Sequence, residues 1–157
     1  MANEPDRPNA TQLLSGMILF QAVSGIAGGT GLMVDPTGAS LGIPNEWLTG
    51  SLFDSYLIPG LSLFIVLGWY PLAAWIAIRR RWNWAWPVAF SVGVALIIWI
   101  GVDIAIIGYH AEPPLQLISA LLGLAILALA LSPSIRDDLR PDGPGGRSAR
   151  FLHGPSS

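Results

Sequence analysis

The chain has 157 residues, of which 52% are apolar and only 11% charged, with a mean hydropathy of +0.56. That composition excludes an ordinary soluble domain and marks a single-domain integral membrane protein. The formal charge is −2, all eight basic residues are arginine, and the absence of cysteine removes disulfides, thiol relays and thiolate metal sites.

In chain order, residues 1–11 read as a disordered flank, with Glu4 and Asp6 outweighing Arg7. The first apolar span covers 13–34. It is longer than a secretory signal core and follows an acidic flank, so it reads as a retained helix. Its run GIAGGTG, with Gly25, Gly28, Gly29 and Gly31, looks like a phosphate loop only superficially, since no lysine follows and no strand precedes. Gly25 and Gly29 instead form a GxxxG pair which, with Ser15 and Ala22, offers a smooth stripe for close approach of a second helix. Gln21, near mid-span, fits an interhelical hydrogen bond.

Residues 35–56 form an unusually structured connection. Asp35-Pro36-Thr37-Gly38 has turn chemistry, Pro44-Asn45-Glu46-Trp47 can open a short helix, and Ile43, Trp47, Leu48, Leu52 and Phe53 let the segment lie as a lid over the bundle. The second span, 57–78, carries Pro59-Gly60 in its first turn, where a missing N–H does little harm. Pro71 lies in its interior, removes the hydrogen bond to the Leu67 carbonyl and is expected to kink the helix near Gly68. Arg79, Arg80 and Arg81 then precede a third span, 86–108. Its Asp103 is the one ionisable side chain within a span, roughly 7–8 Å below the end of the helix at 1.5 Å per residue.

A short connection with His110 and Glu112 leads to the fourth span, 115–131, on which Ser119 and Gly123 form a smaller packing stripe. The polar remainder, 135–157, reads as a flexible tail behind a membrane domain of 12–134. The fold class is therefore all-α: four transmembrane helices in a bundle, with a structured extracytoplasmic loop between helices 1 and 2.

Arginine placement orients the bundle. Arg79–Arg81 and the tail's Arg136, Arg140, Arg147 and Arg150 lie on one side, while the other two connections contain none, so both termini are expected in the cytoplasm. Trp82, Trp84 and Trp86 mark one interface and Trp47, Phe53, Tyr56 and Tyr109 the other, which is a membrane-belt pattern rather than a nucleic-acid or cofactor one.

The runs DPTGASLGIPNEWL, SLFDSYLIPGLSLF and WIGVDIAIIGYH resemble an uncharacterised family of small bacterial four-helix integral membrane proteins, over roughly residues 16 to 130. The resemblance implies the same architecture in a bacterial inner membrane, and no particular activity.

Asp103 is costly in the hydrocarbon, by about 2.5–3.5 kcal/mol at mid-membrane, and has no arginine at its depth. Thr30 and Ser62 reach a comparable depth, Tyr56 and Gln116 sit at the mouth, and His110 shares the helical face. A hydrogen-bonded outer cavity with Asp103, His110, Tyr56 and Thr30 as ligand or ion contacts is therefore the candidate site. One histidine and two carboxylates match no trusted zinc spacing, so no metal, no cofactor and no catalytic residue is assigned. The favoured reading is a non-enzymatic accessory, scaffold or small-ligand-binding unit that partners the lipid bilayer, with the glycine stripe used first for packing within the chain and a homo-oligomer as the alternative use. A transporter or channel subunit with Asp103 as proton or cation site comes second. A lipid-modifying enzyme using Asp103 with His110 or Glu112 comes third, because it needs at least two titratable groups converging at one depth.

Overall fold

The computed structural model describes residues 7–110 and 114–139, with side chains from Ala10 onward, so Glu112 and everything beyond Leu139 lie outside the described residues. Among those residues the protein is all-α, without strands. We number the helices α1 (Arg7–Val34), α2 (Leu57–Arg79), α3 (Ala85–Ile107), α4 (Leu115–Leu131) and α5 (Pro133–Leu139). Two 3-10 turns, Ala39–Leu41 and Asn45–Leu48, lie in the first connection. Within α1, Ala10–Val34 is long and apolar enough to cross a membrane, as are α2 and α3; α4 and α5, bent by 70° at Ser132, make a fourth such unit if counted together.

Two boundaries differ from the sequence reading. The flank expected to be disordered through residue 11 is helical from Arg7. Part of the expected tail is α5, which starts on Pro133, where a missing N–H costs nothing. Ile135 and Leu139 explain why it is ordered: both are buried in the core cluster that includes Leu14 and Ile18 of α1, so α5 closes one end of the bundle. That end, which also holds Arg79–Arg81, is the arginine end; the 35–56 connection closes the other, the loop end.

Each helix packs on its neighbours in sequence, and α4 closes back on α1. Large apolar side chains such as Phe20, Val23, Ile65, Ile98, Leu121 and Leu124 are more than half exposed around the outside. An outer surface this apolar suits hydrocarbon. Apolar burial gives such helices little drive to associate in lipid, so close backbone packing must hold them. Ala74, Ala77, Ala85 and Ala89 in the core allow that approach.

The closest approach is between α1 and α2. A Cβ on Gly25 would lie 2.0 Å from the Leu67 carbonyl oxygen, and one on Gly29 would lie 2.6 Å from the Phe64 nitrogen. In return, Gly60 and Gly68 of α2 admit Leu32 and Ile26 of α1, whose atoms would stand 2.7 and 2.8 Å from a Cβ. The α3–α4 seam repeats the device more loosely: a Cβ on Gly93 would meet Leu127 at 2.7 Å, and one on Gly123 would meet Ile97 at 3.0 Å. Ser119, one turn earlier on α4, is half-buried.

Pro71 follows a widened stretch of the helix. The helix runs on from Leu57 to Arg79, and the seven residues before Tyr70, Leu63–Trp69, are π-helical. The Tyr70 N–H reaches back five residues to the Ile65 carbonyl. Widening the turn in this way accommodates a proline that cannot donate to Leu67. The Leu67 carbonyl accepts instead from Gln21 Nε2 at 3.3 Å, which gives the buried glutamine of α1 its partner.

Candidate functional site

At the loop end, α3 stops where Gly108 turns to φ 80° and α4 starts beside it at Leu115. Gln116, in the first turn of α4 and 7% exposed, reaches into the gap. Its Nε2 donates to Asp103 Oδ2 at 2.8 Å and to the Gly108 carbonyl at 3.0 Å, and its Oε1 accepts the His110 N–H at 2.9 Å. One carboxamide thus holds the end of α3, the chain leaving it and the intramembrane carboxylate. Asp103 is half-buried, and among the described residues this is its hydrogen bond.

The His110 ring lies 3.2 Å from the Gly108 carbonyl through Nδ1 and stacks on Trp47, with centroids 3.7 Å apart at 25°. Trp47 belongs to the 3-10 turn Asn45–Leu48, so the stack ties the first connection to the end of α3. Tyr56, 4% exposed, donates its hydroxyl to the Pro44 carbonyl at 2.9 Å and packs with Leu32 and Leu48. Burial first, and the charge of Asp103 second, push its phenol above the ordinary value of 10.0.

The start of the connection is held by Asp35. Its Oδ1 accepts from the Thr37 hydroxyl at 2.6 Å and the Thr37 N–H at 3.2 Å, and its Oδ2 accepts from the Ser40 N–H at 2.8 Å. The Thr37 hydroxyl first, then the Ser40 N–H, hold this exposed carboxyl below 3.8. Gly38, at φ 79°, is required there: a Cβ would meet the Ile43 carbonyl oxygen at 2.7 Å. Of the apolar side chains expected in the lid, Leu48 is buried and Leu52 is 95% exposed.

Of the residues named from sequence, Asp103 and His110 come together through Gln116, while the Tyr56 hydroxyl is bonded to Pro44. Thr30 does not join them. It is exposed on α1, about 100° round the helix from Gly29, which faces α2. Gln116, placed from sequence only at the mouth, is the hub. A side chain able both to donate and to accept, in the first turn of an otherwise apolar span, was the signal for it.

Among the described residues neither Tyr56 nor His110 hydrogen-bonds Asp103, and the Tyr56 hydroxyl donates to Pro44 instead. Among the described residues no three His, Cys, Asp or Glu side chains gather into a metal-binding group. No protein-family model, curated protein or solved structure matches the chain.

Proposed function

We propose that the protein is a four-helix transmembrane scaffold or accessory unit of a bacterial inner membrane, non-enzymatic, with both termini and Arg79–Arg81 cytoplasmic and the 35–56 loop outside. The kinship with small bacterial four-helix membrane proteins suggested by the loop and Asp103 runs belongs to the same reading. The observation that carries it is the engagement of Asp103 by Gln116, whose remaining hydrogen bonds go to the Gly108 carbonyl and the His110 N–H. A carboxylate held by a group that also fixes two helix ends acts as part of a joint. The transport reading needs a polar path continuing inward, and the polar side chain expected to supply it, Gln21, is 5% exposed and donates to the Leu67 carbonyl.

The test is Asp103→Asn in proteoliposomes. The amide oxygen still accepts from Gln116, so the variant is expected to match the parent in thermal stability and in proton and sodium flux. A parent flux abolished by the substitution would replace this reading with transport. Topology is checked separately with a membrane-impermeant thiol reagent in intact cells: Ser40→Cys is expected to label and Ser148→Cys to stay protected, and the reverse pattern would invert the orientation.

A further inference from the structure

At the arginine end, the turn joining α2 to α3 exposes six consecutive side chains, Arg79 to Trp84. Arg81 sits in the left-handed region at φ 49°, where the Arg81 and Trp82 N–H groups bond back to the Ile78 and Ala77 carbonyls. Glycine is the easy residue at that position of a helix-ending turn, yet the chain places an arginine there. Just beyond it Arg81, Trp82, Asn83 and Trp84 line an open depression of about 390 Å³, with the two indoles 4.9 Å apart and tilted by 40°. Arg80, outside that lining, lies over the Trp82 ring at 5.9 Å, so a second guanidinium stands against one of its walls.

The lining is donor-rich. It offers a guanidinium, a carboxamide NH₂ and two indole N–H groups, and none of the four residues is acidic. Charge near the turn is unbalanced in the same sense. Among the described residues Arg79, Arg80, Arg81 and Arg136 stand against Asp137 and Asp138, and of these two carboxylates Asp138 meets a guanidinium, that of Arg81 at 3.3 Å. Asp138 is shared, since its other oxygen accepts the Thr11 hydroxyl at 2.9 Å. The tryptophans place the depression at headgroup level, which is where phosphodiesters lie.

We propose that this depression binds the phosphodiester of an anionic phospholipid, with Arg81 and Arg80 holding the phosphate oxygens, Asn83 donating to the headgroup and Trp82 and Trp84 seating the glycerol and upper acyl region. The inference rests on the membrane reading above. A zwitterionic lipid would bring its own ammonium against the two guanidiniums, so the site discriminates by charge.

The test is lipid retention. The full chain is reconstituted in discs of phosphatidylcholine containing phosphatidylglycerol at equal moles, released into the gas phase, and the masses of retained lipids are read. Phosphatidylglycerol is expected to be retained in preference, with Arg80→Gln lowering that preference about fivefold, as one surface arginine contributes. Asp138→Asn removes the competing carboxylate and is expected to raise it; a merely structural Arg81–Asp138 pair would leave it unchanged or lower it. Inorganic phosphate added at millimolar concentration is expected not to displace the lipid, because it lacks the chains that the tryptophans seat. Equal retention of both lipids, or full displacement by phosphate, would overturn the site alone. A chain that fails to enter the discs would overturn the membrane reading as well.

Discussion

Gly25→Ala is the sharpest probe of the packing that holds α1 to α2. Its Cβ would stand 2.0 Å from the Leu67 carbonyl oxygen, against an ordinary contact of 3.4 Å or more, so the two backbones must part by about 1.4 Å. No side-chain rotation relieves this, because the obstacle is backbone. Overpacking of this kind costs about 1–3 kcal/mol. Moving Leu67 also stretches the Gln21 hydrogen bond, already 3.3 Å long, and its loss adds about 0.6 kcal/mol. Alanine gains roughly 1 kcal/mol of helix propensity at any mid-helix glycine, so the proper reference is Gly16→Ala, where a Cβ meets nothing within 4 Å. The two variants should differ by about 2–4 kcal/mol, read as thermal or denaturant unfolding in one detergent, with Gly25→Ala the weaker. Equal stability would mean that α1 and α2 do not meet at Leu67.

Gln116→Leu should destabilise the protein by about 2–3 kcal/mol, since it strands the His110 N–H, the Gly108 carbonyl and Asp103 together; parent-like unfolding would remove Gln116 from its central place. Arg81→Gly relieves a left-handed residue, worth about 1–2 kcal/mol, and loses an exposed ion pair worth about 0–1. In detergent free of anionic lipid it should therefore unfold at or above the parent temperature, and a marked loss would show that the pair matters more than the strain. Asp35 has a folded pKa below its unfolded value, so its contribution to the loop is present at neutral pH and fades as pH falls through the depressed value, beneath 3.8. The Thr37 and Ser40 amide resonances should report that midpoint, and a midpoint above 3.8 would contradict the hydrogen bonds described.

What the sequence could disclose depended on whether one helix or two had to be known. A bilayer demands about 20 apolar residues per crossing, so the spans were legible within a single stretch, and the spacing of Gly25 and Gly29 was legible for the same reason. Thr30 follows Gly29 by one residue and so points about 100° away from the face that meets α2, a direction that only the partner helix reveals. Leu67 and Gln21 were each identifiable alone, one as a carbonyl freed by Pro71 and the other as a buried amide, yet they are 46 residues apart and nothing local pairs them. Gln116 was underrated for a similar reason, because its importance comes from the end of α3 lying beside the start of α4.

These cases share one physical cause. Wherever a helix is interrupted or ends, it leaves a carbonyl without its N–H partner, and inside a bilayer no water is at hand to take it. Three such carbonyls receive a side chain from a different helix: Leu67, before Pro71, takes Gln21 at 3.3 Å; Gly108, after α3, takes Gln116 at 3.0 Å; and Ala130, before the bend at Ser132, takes the Trp86 indole at 2.9 Å. Each donor also ties its own helix to the irregular one, so the breaks in the helices become the joints between them. Asp103 accepts from the same Gln116 and so shares the joint at Gly108.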